Sequence, residues 1–563
     1  MFGVKEMAEL EIVDTLQKIF RRSIVRYSEN IFCAYIDEHG RRREVTYRQF
    51  GEDVIALGVA LKGRRRHLNG QQIGVIGPNS YWWAVAYVAV IDSGGIIVPL
   101  DKELTKEELA DCLYRVKITH LFYAPTTELT DKINSVKDQI SSCEYIPFWS
   151  DERRSVSLRR LIHDGNRRRA RQYGRPTEPS PIQPDACAAL LFTSGTTFRS
   201  KIVMLSQRAI ALSVQHTAIP YRVKEEDIIF SILPLHHMYG CNIGFFAPMC
   251  YGASMYFNKG VRYIGMELKR ERPTFIICVP RLLDVMYTQI WAGLAARRWA
   301  ALVHKILDML RWCRTDSYGR WLRQRLFWVI YRQFGGRIRV MSCGGAQADS
   351  HIVYGLTQFG FPIYQGYGLT EFSPLVSSTV LDRDDIDSVG WPIQDTTLRI
   401  IDPDENGVGE IAVKGPHMML GYYNDPAQTA AALRDGYLHT GDLGFIKPNG
   451  ALKVVGRKKN IIVTSGGKKI YPEEIESLLQ KCPVIEEVVV LGEQARYGQQ
   501  VCAHIVLRRA ETQEVRERYE TEARQYIQRT NDRLASYERI HKIIVHDQAF
   551  ERTSTQKIKR HKI

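Results

Sequence analysis

Paired cysteines of the kind that bind zinc or form a disulfide framework are missing from this sequence. The eleven cysteines are an odd number, and no two of them stand in a C-x-x-C pattern. Scattered thiols of this kind indicate a reducing, cytosol-like compartment and argue against a structural zinc site. The opening residues, MFGVKEMAELEIVDTL, contain no apolar segment behind a basic start, so we expect no secretory signal peptide and a cytoplasmic location.

Long uninterrupted apolar runs are also missing. The most apolar window, 81–100, has about the length of a membrane span, but an aspartate, two glycines and a proline interrupt it. The window predicts a buried helix over 81–91 that turns into a buried strand over 95–100. No membrane-spanning helix is expected.

Acidic residues are fewer than basic ones. There are 62 Asp and Glu against 77 Lys and Arg, and the net charge of +15 is concentrated in clusters such as 41–43, 63–67 and 167–171. Such clusters attract polyanions, but their simplest interpretation is a solvated surface. Since no aromatic-interleaved nucleic-acid motif accompanies them, nucleic-acid binding is not expected.

The order of apolar and amphipathic segments predicts an α/β fold. Nearly continuous apolar strand patterns alternate with helical patterns, which is typical of largely parallel sheets covered by helices. From residue 380 onward, short strands bounded by turn residues predict a small β-rich subdomain, and a compact α+β segment follows GRKKN. We therefore predict an N-terminal domain over 1–456, a hinge at 457–460 and a small C-terminal domain over 461–563.

Residues 151–184 and 289–334 stand apart from this alternation. The first segment is rich in Arg, Pro, Ser and Gly and predicts an exposed connection. The second contains two amphipathic helical stretches with basic faces. We interpret these as helices packed on the main sheet. Helices lying on an anionic membrane surface, and hence peripheral membrane contact, are the alternative.

Small and hydroxyl residues cluster in the stretch FTSGTTFRSKIVMLS, residues 192–206. Its hydroxyls, backbone amides and lysine are the groups that can hold the β- and γ-phosphates of a nucleotide. The pattern is not G-x-x-x-x-G-K-[ST], so the fold of ordinary P-loop NTPases is not implied. The candidate residues are Thr193, Ser194, Gly195, Thr196, Thr197 and Lys201.

Three further segments offer nucleotide-binding groups, each a weak signal when taken alone. YQGYGLTE (364–371) combines aromatic rings for stacking, glycines for close approach, a threonine for a phosphate and a carboxylate for Mg²⁺. SCGGA (342–346) follows a predicted strand and can present its backbone to a flat ring. In HTGDLG (439–444) an aspartate stands between glycines, where its oxygens can accept from a ribose diol.

Together and in this order, the segments resemble the adenylate-forming superfamily of acyl-CoA synthetases, luciferases and peptide-synthetase adenylation domains. The resemblance covers nearly the whole chain, and so many motifs in the family's order identify the chain as a member. The further matching motifs are LPLHHMYG (233–240), GEIAVKGPHMMLGYYNDPAQT (409–429), GRKKNIIVTSGGKKIYPEEIE (456–476) and RTSTQKIKR (552–560).

The resemblance implies where the nucleotide would bind. The loop 193–201 would hold the β- and γ-phosphates, Thr370 would touch the α-phosphate, and Glu371 would ligate Mg²⁺. Asp442 would bind the ribose hydroxyls with Arg457 nearby. The residues that would frame the adenine and its surroundings are Gly344, Gly345, Ala346, Gln365, Gly366, Tyr367 and Gly368.

The resemblance also implies the catalytic residues. His237 would lie between the acyl pocket and the nucleotide, and Lys557 would contact the carboxylate and the α-phosphate. A carboxylate that attacks a phosphate must overcome like-charge repulsion, and Mg²⁺ and a lysine aimed at the transition state offset it. No side-chain nucleophile is required, which agrees with the lack of a convincing Ser–His–Asp arrangement.

A second half-reaction would pass the acyl group from AMP to a thiol. In the family, the small C-terminal domain is mobile and rotates about a hinge, for which Lys459 stands at the matching position. The rotation presents a glycine-lined tunnel, to which Gly467 corresponds. The resemblance therefore implies ATP, Mg²⁺ and coenzyme A as cofactors and co-substrate.

The segment 289–347 gives the best indication of the acid. A long helical insertion followed by FGGRIRVMSCGGA is similar to long-chain fatty acyl-CoA synthetases, and GRKKNIIV resembles their bacterial members. We expect a medium- or long-chain fatty acid and transfer to CoA, while an aryl or other carboxylic acid stays open. An amino-acid substrate would need an acidic partner for its amine, and we identify none.

Two alternatives to an acyl-CoA synthetase stay open. An acyl carrier protein could supply the thiol in place of CoA, since a basic surface suits an acidic carrier. A nucleotide-binding pseudoenzyme is the other, because Phe198 and Ile202 stand where relatives usually have glycine, as does Gln556 before the terminal lysine. The charged candidates are all retained, so we interpret the chain as an active enzyme with a stiffened loop.

Overall fold

The computed structural model describes ten segments of the chain. They are residues 11–64, 68–152, 155–171, 180–193, 200–310, 317–380, 385–464, 466–494, 499–552 and 558–563. Several residues singled out from the sequence therefore lie outside the described residues. They are Ser194, Gly195, Thr196, Thr197, Phe198, Gln556 and Lys557.

Among the described residues, fifteen strands precede residue 393. In chain order they are β1 (Ile31–Ile36), β2 (Arg42–Thr46), β3 (Gln72–Ile76), β4 (Ile96–Leu100), β5 (His120–Tyr123), β6 (Glu144–Pro147), β7 (Cys187–Phe192), β8 (Ile202–Ser206), β9 (Ile228–Ser231), β10 (Ser254–Phe257), β11 (Phe275–Cys278), β12 (Val340–Cys343), β13 (Ile363–Gly368), β14 (Leu375–Ser378) and β15 (Trp391–Pro392).

Helices lie between these strands. In chain order they are α1 (Leu16–Arg26), α2 (Tyr47–Arg64), α3 (Tyr81–Asp92), α4 (Lys106–Val116), α5 (Thr127–Val136), α6 (Leu158–Arg171), α7 (Gln207–Tyr221), α8 (Met238–Cys241), α9 (Ala247–Tyr251), α10 (Ile264–Glu271), α11 (Pro280–Ala296), α12 (Ala300–Leu310), α13 (Ser317–Leu326), α14 (Trp328–Arg332) and α15 (Ser350–Gln358). A π-helical turn, Asn242–Phe246, joins α8 to α9.

A β-rich part follows. It consists of β16 (Thr397–Ile401), β17 (Gly409–Lys414), β18 (Gly421–Tyr422), α16 (Pro426–Ala432), β19 (Leu433–Arg434), β20 (Tyr437–Ile446) and β21 (Leu452–Arg457). Strands β16, β17, β20, β19 and β21 form an antiparallel sheet of their own. The short strands bounded by turn residues thus form the small β-rich subdomain that the sequence predicts.

Two large sheets dominate the chain before this subdomain. One has nine strands in the order β15-β14-β13-β12-β11-β9-β10-β1-β2, and β13 to β1 in that order run parallel. The other has seven strands in the order β18-β8-β7-β4-β3-β5-β6, and β7 to β6 run parallel. The predicted α/β class with largely parallel, helix-covered sheets is confirmed.

The apolar window 81–100 folds as core. The side chain of Ser80 caps α3 by accepting a hydrogen bond from the backbone N–H of Trp83 at 3.3 Å, and every residue of α3 except Trp82 is buried. Strand β4 follows in the middle of the seven-stranded sheet. Within the described residues, no helix combines the length and apolar character needed to cross a bilayer.

Residues 151–184 differ from the predicted exposed connection, because they contain α6. Leu158, Leu161 and Ile162 recur at helical spacing among the arginines and are buried. A Cβ at Gly165 would stand 1.9 Å from the carbonyl oxygen of Ala56 in α2, so α6 and α2 touch there. The many arginines made this amphipathic helix resemble a polar linker in the sequence.

The segment 289–334 forms helices that pack on the nine-stranded sheet, which confirms the favoured interpretation. Their buried apolar side chains share one core cluster with sheet residues such as Ile276 and Met341. The members from the helices are Ile290, Leu294, Val303, Leu310, Phe327 and Tyr331. Four helices, α11 to α14, occupy the region around the two predicted stretches.

The chain ends in a small α+β unit. It contains β22 (Ile462–Val463), β23 (Lys469–Ile470), α17 (Pro472–Leu479), β24 (Ile485–Gln494), β25 (Gln499–Leu507), α18 (Gln513–Asn531) and β26 (Ile540–His546). A core cluster that includes Ile475, Val490, Ile505 and Ile527 belongs to this unit alone. The exact boundaries 1–456, 457–460 and 461–563 stay predictions.

Candidate active site

A cavity of about 1000 Å³ lies where the strand ends of the large part meet the C-terminal unit. Carboxyl ends of parallel strands share one edge of a sheet, and the connections that follow them are the usual place for ligands. The predicted site residues that line the cavity are Thr193, His237, Gly345, Ala346, Gln365, Gly366, Tyr367, Gly368, Asp442, Arg457 and Lys459. The predicted residues Lys201, Gly344, Thr370, Glu371 and Gly467 are described but are not among its lining residues.

The two glycine segments enter the cavity beside each other because β12 and β13 are neighbouring parallel strands. Gly345 has φ of +86°, which favours glycine, and it turns the chain directly after β12. A Cβ at Gly368 would stand 1.8 Å from the carbonyl oxygen of Pro374, so the β13–β14 turn excludes any side chain there. At both positions the cavity is therefore lined by backbone alone.

Behind these glycines, hydroxyl groups fix the end of β12. The Ser342 hydroxyl lies 2.8 Å from the Tyr239 hydroxyl and 2.9 Å from the Tyr221 hydroxyl. Ser342 is fully buried, and burial raises the pKa of both tyrosines. This neutral network holds the strand end rigid without adding charge to the cavity.

Asp442 is held from two sides. Strands β20 and β21 pair it with Arg457, whose Nε lies 3.0 Å from Oδ1. The Tyr367 hydroxyl donates to Oδ2 at 2.8 Å. Burial and the Asp442 charge hold the pKa of the Tyr367 phenol well above its ordinary value, so it stays a donor. Each carboxylate oxygen keeps acceptor capacity for a further hydroxyl.

Glu371 and Lys201 meet at a residue that the sequence did not single out, Tyr422. The Tyr422 hydroxyl donates to Glu371 Oε1 at 2.9 Å. Lys201 Nζ stands over the Tyr422 ring, 4.6 Å from its centre. Burial, and then the Glu371 charge, raise the pKa of Tyr422 far above its ordinary value. The only sequence signal was its place in GYYNDPAQT, which gave it no role.

The loop of the phosphate candidates is closed by a hairpin. Strands β7 and β8 are antiparallel, and the backbone N–H of Thr193 donates to the carbonyl oxygen of Lys201 at 2.9 Å. Ile202 begins β8, is 3% exposed and belongs to the main core cluster. The sequence interpretation of Ile202 as a stiffening loop residue is therefore wrong, because this side chain fills the core.

His237 lies at the start of α8 beside His236, with 4.3 Å between the ring centres. His236 Nε2 in turn lies 3.4 Å from Asp101 Oδ2. The three side chains offer nitrogen and oxygen atoms within 4.8 Å of one another, so together they could also hold a cation. All three line the cavity.

The C-terminal unit closes one side of the cavity. Arg560 donates to Glu476 Oε2 on α17 at 2.5 Å, and Asn460 donates to Glu473 Oε1 on the same helix at 2.6 Å. Ile558, which follows Lys557 in the chain, lines the cavity together with Lys459. Gly467 does not line the cavity. It lies in a turn with φ of +72°, and a Cβ placed on it would have no neighbour within 4 Å.

Comparisons with known proteins agree with this arrangement. The family described as AMP-binding enzyme matches residues 20–423, and the AMP-binding enzyme C-terminal domain matches residues 459–563. Human long-chain-fatty-acid–CoA ligase 1 is 30% identical over 508 residues, covering 85% of this chain and 72% of the ligase. The chloroplastic long-chain-fatty-acid–[acyl-carrier-protein] ligase AEE15 of Arabidopsis thaliana is 28% identical over 549 residues, covering 85% of this chain and 74% of that protein.

Solved structures share the fold at lower identity. The anthranilate CoA ligase AuaEII in complex with anthranoyl-AMP is 18% identical, with a TM-score of 0.76, over 98% of this chain and 97% of that chain. O-succinylbenzoate coenzyme A synthetase from Bacillus subtilis, in complex with ATP and magnesium ion, is 23% identical, with a TM-score of 0.71, over 96% of this chain and 98% of that chain. These likenesses extend along nearly the whole chain.

Proposed function

Because this chain belongs to the AMP-binding enzyme family and is an adenylate-forming ligase, we propose that it activates a medium- or long-chain fatty acid. Acyl-AMP and pyrophosphate would form first, and the acyl group would then pass to the thiol of CoA. ATP and Mg²⁺ are the family's co-substrate and metal. The fatty acid and CoA are inferred from relatives such as the human ligase.

The nucleoside would bind at the end of β12 and β13. Gly345 and Gly366 line the cavity beside Tyr367, where a flat base would lie, and Asp442 stands where a ribose diol could donate to its oxygens. Arg457 and Tyr367 hold that carboxylate in one orientation before any ligand arrives. Preorganisation of this kind lowers the entropic cost of binding.

The phosphates would face the 193–201 loop, Thr370 and Glu371. Glu371 fits Mg²⁺, because it offers hard carboxylate oxygens and is fixed by Tyr422 rather than neutralised by an arginine. When bound, the ion would withdraw charge from the phosphate oxygens. Lys201 would supply the second positive charge on the same side as Glu371.

The carboxylate of the acid would approach the α-phosphate from the side of His237. Lys557 would arrive from the C-terminal unit, whose next residue, Ile558, lines the cavity. Mg²⁺ and Lys557 would offset the repulsion between the carboxylate and the phosphate. Alignment of these two groups would supply much of the remaining rate acceleration.

The thiol step would require the C-terminal unit to turn about Lys459 and bring Gly467 to the site. The outward position of Gly467 in the described arrangement agrees with a conformation suited to adenylation. An acyl carrier protein remains the alternative acceptor, and the Arabidopsis relative is named for that acceptor.

One observation carries the proposal: in a chain matched almost end to end by the family, Asp442 is preorganised between Tyr367 and Arg457 in the wall of one large cavity. The test is ATP-dependent release of AMP with a panel of fatty, aryl and short carboxylic acids. Each acid is assayed with CoA, with carrier protein and with neither.

The expected result is AMP release that depends on a fatty acid and is greatest with CoA. Preference for the carrier would shift the proposal to the alternative acceptor. Absence of pyrophosphate exchange with every acid, while ATP still binds, would identify a pseudoenzyme and overturn the proposal.

A further inference from the structure

The outer face of the helices α12 to α14 carries a concentration of exposed apolar side chains. Among the described residues, all the strongly exposed tryptophans of the protein are found here. We call this set the aromatic–basic surface. Its apolar members are Trp299, Leu302, Met309, Tyr318, Trp321, Leu326, Trp328 and Val329.

In α12 the exposed apolar residues follow the helical repeat. Leu302 and Met309 are seven residues apart, hence on one stripe, and Met309 is 73% exposed. Lys305 lies beside this stripe. The adjacent face, about 100° around the helix, buries Val303 and Leu310 in the core cluster shared with the nine-stranded sheet. The helix therefore has a second apolar stripe that the fold of this chain does not use.

Helix α13 has the same construction with aromatic side chains. The rings of Tyr318 and Trp321 stack with 5.9 Å between their centres, and Tyr318 is 72% exposed. The guanidinium of Arg325 stands 5.5 Å from the centre of the Trp321 ring. Solvent-exposed aromatic rings interleaved with arginine favour a polar–apolar boundary over free water.

Charge is as concentrated here as apolar area. Residues 297–332 contain nine Lys and Arg but two Asp and no Glu, a net charge of +7 out of the +15 of the whole chain. Within the described part of the chain, Arg297, Arg298, Lys305 and Arg325 make no ion pair with an acidic side chain. Elsewhere, basic residues such as Arg42, Arg208 and Arg552 are paired with carboxylates.

We propose that the aromatic–basic surface docks the protein on an anionic lipid bilayer. The apolar stripes enter the boundary between headgroups and acyl chains, and the unpaired basic residues contact the anionic headgroups. Tryptophan and tyrosine prefer that boundary because each combines an apolar ring with a polar tip. The helices lie in the membrane plane, since their inner faces stay packed on the sheet.

Lipid fits this surface better than a polyanion alone. Nucleic acid would account for the unpaired basic residues but not for Leu302 and Met309, which would meet no apolar partner on a phosphate backbone. A bilayer matches both properties at once. Exposed apolar residues scattered singly need no explanation, whereas a concentration of them in one part of the surface marks an interaction site.

The test is cosedimentation of the full-length protein with vesicles. One set contains phosphatidylglycerol and phosphatidylcholine in equal parts, and the other contains phosphatidylcholine alone. We compare the wild type with Met309→Glu/Trp321→Glu and with Lys305→Glu/Arg325→Glu. The matched control is Met266→Glu/Arg518→Glu, which makes the same kinds of change at exposed positions outside the surface.

The wild type is expected to bind the anionic vesicles and to lose binding as salt is raised. Each surface variant should lower the partition coefficient by about tenfold or more, since one basic residue near an anionic surface strengthens binding by about fivefold and reversal of two removes more than that. The control should bind as the wild type does. Melting temperature and circular dichroism verify that every variant is folded.

A second measurement uses the wild type and one conservative variant. Lipids brominated along the acyl chain should quench part of the tryptophan fluorescence of the wild type on anionic vesicles, and Trp321→Phe should reduce that quenching. Equal binding to neutral and anionic vesicles overturns the proposal, as does unchanged binding of both surface variants. A wild-type dimer that the surface variants convert to monomers, without effect on vesicle binding, would assign the surface to a second copy of the chain instead.

Discussion

Tyr422 shows how much of this site depends on a single side chain without charge. Its hydroxyl contacts Glu371 and its ring faces Lys201, so the two candidate phosphate-site residues of opposite charge share one rigid partner. A direct Lys201–Glu371 ion pair would neutralise both groups. Tyr422 instead holds each in place and leaves the carboxylate free to meet a cation and the ammonium free to meet a phosphate.

This arrangement predicts graded effects of two substitutions. Glu371→Gln should raise the Mg²⁺ concentration needed for half-maximal pyrophosphate exchange and lower the rate by about tenfold or more, because a metal-ligand charge is lost. Tyr422→Phe should lower the rate of pyrophosphate exchange by about fivefold, because it removes one hydrogen bond to Glu371. Tyr423→Phe is the control. If Glu371→Gln kept the wild-type Mg²⁺ dependence, Glu371 would not be a metal ligand.

A buried histidine pair predicts a pH dependence of stability. His216 Nδ1 and His417 Nε2 are 2.9 Å apart, and His417 is 0% exposed. Burial, and then His216, lower the pKa of His417 to about 3, below its ordinary value of about 6.5. The unfolded chain thus binds a proton that the folded chain excludes, so stability is complete above pH 6.5 and falls between about pH 6.5 and pH 3.

From pH 7 to pH 5, His417 alone should cost about 2 kcal/mol of unfolding free energy. In His417→Gln the difference between the two pH values should shrink by that amount. Denaturant unfolding followed by tryptophan fluorescence measures it, because all nine tryptophans precede residue 457 and report the region that holds His417. His541→Gln, at an exposed position, is the control. An undiminished pH difference in His417→Gln would contradict the prediction.

At the scale of elements, strand β8 fixes one end of the phosphate loop and thereby limits which substitutions are possible at Ile202. The loop leaves β7 at Phe192 and returns at Ile202, whose carbonyl oxygen also accepts from the backbone N–H of Tyr423. One edge of the loop is thus fixed in a sheet, between β7 and the short strand β18 that carries Tyr422. Ile202 anchors the loop rather than limiting its mobility.

Separate glycine substitutions at Ile202 and Phe198 distinguish the roles of these two residues. Ile202→Gly should lower the unfolding free energy by about 4 kcal/mol, since it empties a core site and loosens a strand, whereas Ile202→Val should cost about 1 kcal/mol. Phe198→Gly should leave stability unchanged and lower the Michaelis constant for ATP or raise turnover. Unfolding by fluorescence and steady-state kinetics measure the two effects. Unchanged kinetics in Phe198→Gly would remove the stiffened-loop interpretation.

At the scale of the whole molecule, the C-terminal unit is part of the site although it has a core of its own. It contacts the large part through polar links such as the Tyr471 hydroxyl to Asp404 at 3.3 Å, and Lys458 of the predicted hinge pairs with Glu410 at 2.9 Å. Few apolar side chains need to be exposed to break contacts of this kind. This construction suits a unit that changes position between two half-reactions.

The two half-reactions should therefore separate in Lys557→Ala. We expect loss of acyl-AMP formation, measured by pyrophosphate exchange, with much of the thioester formation from preformed acyl-AMP retained, because the cation is needed against phosphate only in the first step. Lys562→Ala is the matched control, since Lys562 also lines the cavity and pairs with Glu551 at 2.6 Å. Unimpaired adenylation in Lys557→Ala would exclude the role.

The sequence by itself determined the local features of the protein. The α/β class, the helix and strand at 81–100, the β-rich part and the C-terminal α+β unit follow from periodicity and turn residues, which act within a few residues of each other. The family followed from motifs in a fixed order. The prediction of an exposed connection over 151–184 was wrong for α6, because the arginines on its exposed face outnumber the apolar residues on its buried face.

Only the tertiary structure decided which distant residues touch. The pairing of β8 with β18 brings Tyr422 to Lys201, and the approach of 417 to α7 creates the histidine pair. No local pattern encodes such contacts, because they depend on which strands become neighbours. For the same reason the apolar stripes of α12 and α13 looked like ordinary core-facing helices, and packing alone showed that one face is buried while the other stays exposed.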